Sequence, residues 1–163
     1  MASCQITAAN RSKTHKHTRG KITNNSQHTL SLAGSKVWEG SQSTDFPKTI
    51  EHRKAGEFTH DAGSEDGWVG SIAAVAYTML GDGRKWVTAW SNPRSRDSKV
   101  FTDGVDEDQP IDWDQIKTQL DKEGKPMYQT NSHGCRAGIL IDPKTTSPDM
   151  SAFINPPDPK PAK

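Results

Sequence analysis

The sequence has few apolar residues for its length. Hydrophobic side chains make up 31% of the 163 residues, and the mean hydropathy is −0.86. A chain of this length is large enough for one domain with its own core. Because an ordered domain is usually more apolar than this, we expect part of the chain to be a disordered tail.

Long hydrophobic runs are missing as well. The N-terminal segment MASCQITAANRSK has no apolar stretch of the kind found in a signal peptide, and no window approaches the length of a membrane-spanning helix. We therefore expect a cytosolic protein. The two cysteines, Cys4 and Cys135, are too few for a disulfide framework, so both are expected to be free thiols.

Acidic residues are absent from the start of the chain. Up to Trp38 there are six lysines and arginines and no Asp or Glu, whereas eight acids and two lysines lie between Asp103 and Glu123. The formal net charge of +1 argues against a bulk nucleic-acid binder. The basic segment is either a solvated arm or a contact for an anionic surface.

Motifs for catalysis or metal binding are weak. His133 and Cys135 resemble a dyad, but no third group is placed to orient them, and a cysteine nucleophile needs a base positioned by the fold. His15 and His17 have no further ligands nearby, and the acids at 61–66 do not match a calcium-loop spacing. We therefore expect no enzyme, no metal and no cofactor, and a structural, buried Cys135.

Short apolar runs alternate with turn residues from Gly20 onward, which is typical of an all-β domain. Asn-Asn-Ser-Gln at 24–27 predicts a hairpin between the first two runs, and Gly-Asp-Gly at 81–83 predicts a second hairpin. Strands are expected at 21–24, 28–32, 35–38, 50–52, 57–60, 68–80, 84–91, 98–102 and 136–142.

One helix is predicted, over PIDWDQIKTQLDKEG at 110–124. Asp112 is a good N-cap and Gln115 completes a capping-box pattern. Ile116 and Leu120 fall on one face together with Trp113. Many short strands and one short helix imply a mostly β fold, a β-sandwich with the helix docked on it.

The predicted boundaries divide the chain into three parts. Residues 1–19 are a disordered basic N-terminal arm and residues 20–142 are the β-sandwich. Six prolines fall between 143 and 163, and this Pro-rich segment is expected to be a disordered tail.

The stretch WVTAWSNP at 86–93 predicts a central strand. The strand period places Trp86 and Trp90 on one face, while Val87, Ala89 and Ser91 share the other. Because both faces are bulky or apolar, we expect the strand to be covered on both sides and both tryptophans to be packing residues.

The end of this strand is a candidate binding site. Pro93 stops the sheet ladder, and an exposed loop with Arg94 and Arg96 follows. A hydroxyl from Ser91, a rigid proline and two basic side chains at a strand end suit a lipid headgroup.

The order of these motifs resembles a known superfamily. The stretch VGSIAAVAYTMLGDGRKWVTAWSNP is similar to the central hairpin of the actinoporins, the membrane-binding toxins of sea anemones. AWSNP, KVFTDG and DWDQI resemble more closely the jasmonate-induced proteins of plants and the nakanori type of fungi. The resemblance covers roughly residues 20–142. It implies an actinoporin-like β-sandwich that recognises membrane lipid headgroups, of the sphingomyelin and cholesterol type, or glycans.

The resemblance also implies site residues. Actinoporins hold phosphocholine with a serine and a proline at this strand end, which match Ser91 and Pro93. A serine at an early loop tip falls near Ser41, a helix aromatic matches Trp113, and the start of the preceding strand falls near Trp68.

Two departures from the actinoporin pattern change the expected mechanism. Two helix tyrosines are replaced by Lys117 and Thr118, and the aromatic loop is reduced to Arg-Ser-Arg-Asp, so a cation–π cage for choline is incomplete. Arg94 and Arg96 could favour a phosphate or an acidic sugar instead. Residues 1–19 lack the apolar face of a piercing helix, so we expect peripheral binding without pore formation.

Two alternatives stay open on the same scaffold. The first is a cytosolic lectin in which Trp68 or Trp38 stacks on a sugar. The second is a stress or defence protein with no small ligand, in which all five tryptophans are core residues.

Overall fold

The structure is a computed structural model that describes residues 17–42, 44–62, 70–93, 97–131, 134–145 and 147–156. Two β-sheets pack face to face, and a helix lies on the outer face of the second sheet. The predicted β-sandwich with a docked helix is confirmed. In chain order the described residues form β1 (His17–Asn24), β2 (Leu30–Glu39), β3 (Ser41–Gln42), β4 (Thr49–Ile50), β5 (Ala55–Asp61), β6 (Ser71–Met79), β7 (Arg84–Asn92), β8 (Lys99–Asp106), α1 (Trp113–Glu123), β9 (Met127–Thr130), β10 (Ala137–Ile141) and β11 (Asp149–Ile154).

The strands form a six-stranded and a five-stranded sheet. The six-stranded sheet has the order β3-β5-β1-β11-β10-β9, and the five-stranded sheet has the order β4-β2-β6-β7-β8. Only the β1–β11 pair is parallel among the described strand pairs. The predicted hairpin of β6 and β7 is confirmed, with Gly81 and Gly83 of the turn at positive φ values of 82° and 78° that favour glycine.

The predicted hairpin at 24–27 is wrong. β1 belongs to the six-stranded sheet and β2 to the five-stranded sheet, so this turn carries the chain from one sheet to the other. The side chain of Asn24 explains the geometry. Its Nδ2 donates to the carbonyls of His28 (2.7 Å) and Ile50 (2.9 Å), and its Oδ1 accepts from the Ser26 hydroxyl (2.6 Å). The Asn24 side chain therefore bonds three residues, one of which, Ile50, is distant in sequence. These side-chain bonds, and not the backbone geometry of a hairpin turn, set the path of the chain here.

The predicted disordered tail is also wrong for residues 149–154. These residues form β11, which lies between β1 and β10 in the middle of the six-stranded sheet. Met150, Ala152 and Ile154 alternate along β11 and point into the core. This alternation of apolar residues is a strand signal in the sequence, but the prolines on both sides of it favoured the prediction of a disordered tail. At the other end, β1 already starts at His17, inside the segment expected to be an arm. Residues 1–16 and 157–163 lie outside the described residues.

Strand β7 is central and covered on both faces, as predicted. Trp86 and Trp90 are fully buried between the two sheets, while Val87 and Ala89 face the helix side. Each indole N–H finds an acceptor, because Trp86 Nε1 donates to Thr102 Oγ1 at 2.7 Å and Trp90 Nε1 donates to a hydroxyl of β6 at 3.2 Å. The two rings are therefore packing residues, not ligand contacts.

Helix α1 begins and ends close to the predicted positions. Asp112 caps it by accepting a hydrogen bond from the Gln115 amide at 3.1 Å. Ile116 and Leu120 are buried against the outer face of the five-stranded sheet. Gly124 follows the last turn, where a Cβ would lie 2.4 Å from the Leu120 carbonyl oxygen. The next residue, Lys125, ties the helix end to the sheet, because it exchanges backbone hydrogen bonds of 2.8 and 3.2 Å with Val100 of β8.

Candidate functional site

Two strand ends meet at one end of the sandwich. β7 ends at Asn92 and is followed by Pro93, and β6 begins beside them after Gly70. A Cβ on Gly70 would lie 2.6 Å from the Asn92 carbonyl oxygen and 2.7 Å from Pro93 Cα. Only glycine lets the two backbones approach this closely. We call Ser41, Gly70, Ser91 and Pro93 the strand-end site.

Ser91 occupies the last full register position of β7. It lies opposite Ile72 of β6 and Lys99 of β8, and its side chain is on the helix-facing side of the sheet. The residue is 3% exposed. No described residue hydrogen-bonds to its hydroxyl, which leaves a donor and two lone pairs at the rim of the sheet.

Ser41 and Pro93 reach the same end by different routes. Ser41 is exposed and pairs with Asp61 in the short strand β3. The preceding residue, Gly40, has a positive φ of 92°, and a Cβ there would lie 3.0 Å from the Gly70 carbonyl oxygen. Gly40 therefore places Ser41 near Gly70, whose backbone lies close to Pro93. Ser91 and Pro93 share one strand end, and Ser41 lies at the same end of the sandwich on a strand of the other sheet.

Trp113 is not brought to this end. Its ring lies 3.4 Å from the Cβ position of Gly34, which pairs with Ala76 of β6. Ser91 pairs with Ile72, four residues away along the same strand, and at roughly 3.3 Å per residue this corresponds to about 13 Å. Trp113 is half-buried and packs on the helix-side core, as does Trp38. No described contact joins Trp113 to Ser91 or Pro93.

The remaining predicted residues lie outside the described residues. Arg94 and Arg96 follow Pro93 directly in sequence, and Trp68 precedes Gly70. The chain is described again at Asp97, whose carboxylate accepts from Lys144 Nζ at 2.8 Å. The roles of Arg94, Arg96 and Trp68 stay predictions.

A buried polar network lies beneath the strand-end site, and it was not predicted from the sequence. Its centre is the Ser71 hydroxyl, which accepts from Thr18 Oγ1 at 3.0 Å and from Trp90 Nε1 at 3.2 Å. His60 Nδ1 lies 2.8 Å from the same oxygen. The four residues come from β1, β5, β6 and β7, so the network joins the two sheets. Such a network fixes the position of the strand ends above it.

His60 is the titratable member of this network. It is fully buried and stacks edge-on against Trp90 with the ring centroids 5.7 Å apart. Burial lowers its pKa from 6.5 to about 4, an effect that the nearby Asp61 partly offsets. The imidazole is therefore neutral at physiological pH. Its Nε2 has no hydrogen-bond partner among the described residues.

Asn92 adds a second connection between the sheets. Its Oδ1 accepts from Ser98 Oγ at 3.0 Å, and its Nδ2 lies 3.4 Å from Thr18 Oγ1. The side chain is 1% exposed. The strand end that carries Ser91 and Pro93 is therefore held from both sides, by Ser98, which directly precedes β8, and by Thr18 of β1.

The cysteine considered as a nucleophile does not have the properties of one. Cys135 is a free, buried thiol, as predicted, and burial raises its pKa to about 12. A thiol with this pKa stays protonated at neutral pH and is a poor nucleophile. Its proposed partner His133, like Cys4 and His15, lies outside the described residues. Within the described ranges, no group of three His, Cys, Asp or Glu side chains is arranged to hold a metal ion.

None of the described helices has the length and apolar character needed to cross a bilayer.

Comparison with known proteins places the chain in a family. The family model of the Nakanori-like protein matches residues 13–155. The chain belongs to the Nakanori-like family. The match extends past residue 142, which agrees with the position of β11 inside the sheet.

Two relatives support this assignment. A jasmonate-induced protein homolog of Atriplex canescens is 29% identical over 91 residues, which are 52% of this chain and 49% of that protein. The match thus spans about half the length of that relative. The crystal structure of the lipid binding protein Nakanori superposes with a TM-score of 0.77 at 14% identity, covering 85% of this chain and 70% of that chain. The predicted resemblance and the actinoporin-like fold are confirmed.

Proposed function

We propose that this protein binds the headgroups of membrane lipids at the strand-end site, as a peripheral and non-catalytic binder. The observation that carries the proposal is the unpartnered Ser91 hydroxyl beside Pro93, on a strand end fixed by the buried network. The shared fold with a lipid binding protein supports it. The proposed target is a bilayer that contains sphingomyelin and cholesterol, and the protein is proposed to bind it from the cytosol.

The proposed interaction centres on the headgroup phosphate. Ser91 Oγ is a donor at the rim of the sheet that can serve a phosphate oxygen, and Pro93, which is itself buried, fixes the backbone next to it. Arg94 and Arg96 follow in the sequence and would add charge-assisted hydrogen bonds to the same phosphate. Trp113 lies too far along the sheet to complete an aromatic cage with Ser91, so choline contributes less than phosphate.

We propose in addition that binding does not proceed to a pore. A piercing helix needs a continuous apolar face, and residues 1–19 carry arginines and lysines with few apolar residues between them. The last three of these residues, from His17 onward, are already part of β1. Dye release from vesicles at saturating protein is expected to stay at the level of the buffer control.

The test is co-sedimentation with liposomes of three compositions: sphingomyelin with cholesterol, phosphatidylcholine alone, and an anionic mixture. Each is measured at low and high salt for the wild type and for Ser91→Ala. Ser31→Ala is the matched control, because Ser31 lies opposite Thr78 near the other end of the five-stranded sheet. Salt-resistant pelleting with the sphingomyelin mixture is expected, and it should be weakened by Ser91→Ala only.

Other outcomes contradict parts of the proposal. Pelleting only with anionic lipid, lost at high salt, would replace the strand-end site by a basic charge patch. Pelleting that Ser91→Ala and Ser31→Ala leave equally intact would move the site elsewhere. A lack of pelleting with all three compositions would contradict lipid binding altogether.

A further inference from the structure

A second candidate site lies on the outer face of the six-stranded sheet, at the end opposite the strand-end site. A groove of about 460 Å³ runs along the ends of β9, β10 and β11. Phe153 in this groove pairs with Thr23 of β1, whereas Thr18, which belongs to the network beneath the strand-end site, is five residues earlier on that strand. We call this cavity the Phe153 groove. Its polar lining residues are Gln129, Thr130, Asn131, Arg136 and Asn155.

The groove presents an aromatic ring to solvent. Phe153 lies on the outer face of β11 and is half-buried. A Cβ on the neighbouring Gly138 would lie 2.4 Å from Phe153 Cζ, so the ring rests on bare backbone. Gly138 pairs in turn with Gln129 of the edge strand β9. The ring and the Gln129 amide therefore lie side by side along one row of the sheet, which is a fixed spacing set by the strand register.

Amide side chains surround the ring. Gln129 and Asn131 are exposed, and no described residue hydrogen-bonds to either side-chain amide. Asn155 is held in place, because its Oδ1 accepts from Asn25 Nδ2 at 3.2 Å. Each amide can donate and accept at the same time. Adjacent donors and acceptors beside an aromatic ring suit a ligand with many hydroxyl groups and one apolar face.

A larger groove on the same sheet face has a different character. It has a volume of about 540 Å³ and lies across β1, β5 and β11. Arg19 and Asp149 occupy it as an ion pair with a 2.9 Å separation. Its ring, Phe58, is 3% exposed and points into the core. This groove has no accessible aromatic ring, whereas the Phe153 groove combines an accessible ring with amide side chains.

We propose that the Phe153 groove binds a glycan. The Phe153 ring stacks on the C–H face of one sugar, and the amides of Gln129 and Asn131 pair with its hydroxyls. The proposal does not depend on lipid binding at the strand-end site. It also places the sugar away from Trp38, which packs on the helix-side core.

The test is binding of the whole chain to an array of neutral and acidic oligosaccharides, followed by calorimetric titration of the best free oligosaccharide. Phe153→Ala is expected to weaken binding at least about tenfold, or about 1.4 kcal/mol, because aromatic residues at the centre of a site carry much of its binding energy. Gln129→Ala is expected to weaken it several-fold. Gln129 is exposed at the sheet edge, so this second variant is informative even if Phe153→Ala folds poorly.

Two matched controls separate the alternatives. Met127, on β9, is 62% exposed and lies two residues from Gln129 on the same face. Met127→Ala and Ser91→Ala should both leave sugar binding unchanged. Loss of binding in Met127→Ala equal to that in Phe153→Ala would point to a general apolar surface and overturn the proposal. Loss in Ser91→Ala alone would move the sugar to the strand-end site, and no array signal above background would also overturn it.

A last experiment tests whether the groove recognises a free glycan or the headgroup of a glycolipid. Vesicles that carry the same oligosaccharide as a glycolipid are compared with the free oligosaccharide as competitor. Full competition by the free form would show that the glycan alone is recognised. Binding to vesicles that resists competition but is lost in Phe153→Ala and Gln129→Ala would assign the groove to a glycolipid headgroup. Vesicle binding that survives in both variants would contradict the proposal.

Discussion

The strand-end site and the Phe153 groove are built in opposite ways. The strand-end site stands on a buried network, and its central Ser91 is 3% exposed and fixed by strands on both sides. The Phe153 groove is made of surface side chains, and a single glycine, Gly138, sets the height of its ring. Substitutions under the first site therefore change stability and binding together. Substitutions in the second site are expected to change binding with little effect on the fold.

The largest expected effect comes from removing Trp90 beneath the strand-end site. Trp90 is fully buried and contacts the rings of Phe46, Phe58 and His60. Trp90→Ala should lower the free energy of unfolding by about 3–5 kcal/mol, through the cavity and the lost bond to Ser71. Urea denaturation measures it. Phe153→Ala, the corresponding change in the groove, should cost clearly less, and equal costs would remove the contrast between the two sites.

A pH titration tests how much the buried His60 contributes to stability beneath the strand-end site. The folded state holds the pKa of His60 near 4, and the unfolded chain takes up a proton near 6.5. The neutral imidazole therefore contributes stability that is complete above pH 6.5 and is lost as the pH falls towards 4. The loss should be about 3 kcal/mol. Melting temperatures at several pH values measure it.

The control for this titration is a pair of variants. His60→Asn keeps a polar atom close to Nδ1 and does not titrate, so its stability should fall less steeply between pH 6.5 and 4 than that of the wild type. His52→Asn, in an exposed turn, should follow the wild-type curve. If the melting temperatures of all three proteins fell equally between pH 6.5 and 4, the role given to His60 would be contradicted.

Substitution of one glycine in each site allows a direct comparison of the two sites. Gly70→Ala places a Cβ 2.6 Å from the Asn92 carbonyl oxygen and 2.7 Å from Pro93 Cα, where backbone must move, and should cost about 2 kcal/mol. Gly138→Ala meets only the tip of the Phe153 ring, which can swing away. It should cost under about 1 kcal/mol and yet abolish sugar binding, because the ring leaves its place. If Gly138→Ala lowered the free energy of unfolding more than Gly70→Ala, the Phe153 ring and not the strand end would be the rigid part.

The helix variants have the smallest expected effects. Trp113→Ala removes a half-buried ring from the helix-side core and is expected to leave the fold intact. Because Trp113 lies beside Gly34 and away from Ser91, the variant should leave pelleting with the sphingomyelin mixture unchanged. Weakened pelleting would place Trp113 in the lipid site, as the family resemblance implies. Global unfolding would show that the residue is core. Asp112→Ala removes the N-cap and should cost about 1 kcal/mol.

Local signals in the sequence predicted the parts of the fold that they control. The Gly-Asp-Gly turn, the Asp112 cap and the alternation of residues 86–91 led to the β6–β7 hairpin, α1 and the central strand. Interactions between distant segments were not predictable in this way. The parallel pairing of β1 with β11 joins residues about 130 positions apart, and the polar network around Ser71 assembles four strands.

The candidate sites follow the same rule. Ser91 and Pro93 were found because they are two residues apart in a recognisable strand end. The Phe153 groove was missed because its residues lie in or directly beside β9, β10 and β11, of which β9 and β11 had not been predicted. An alternating Asp-Met-Ser-Ala-Phe-Ile pattern was the available signal for β11 and for the outward position of Phe153.

The most direct test of the central claim is a map of backbone amide shifts by NMR during titration with a short-chain sphingomyelin. We expect the largest shifts at Ser91, Asn92 and Lys99, with Gln129 and Gly138 unchanged. Shifts confined to the outer face of the six-stranded sheet, or shifts at no strand-end amide at saturating lipid, would contradict a headgroup site at the end of β7.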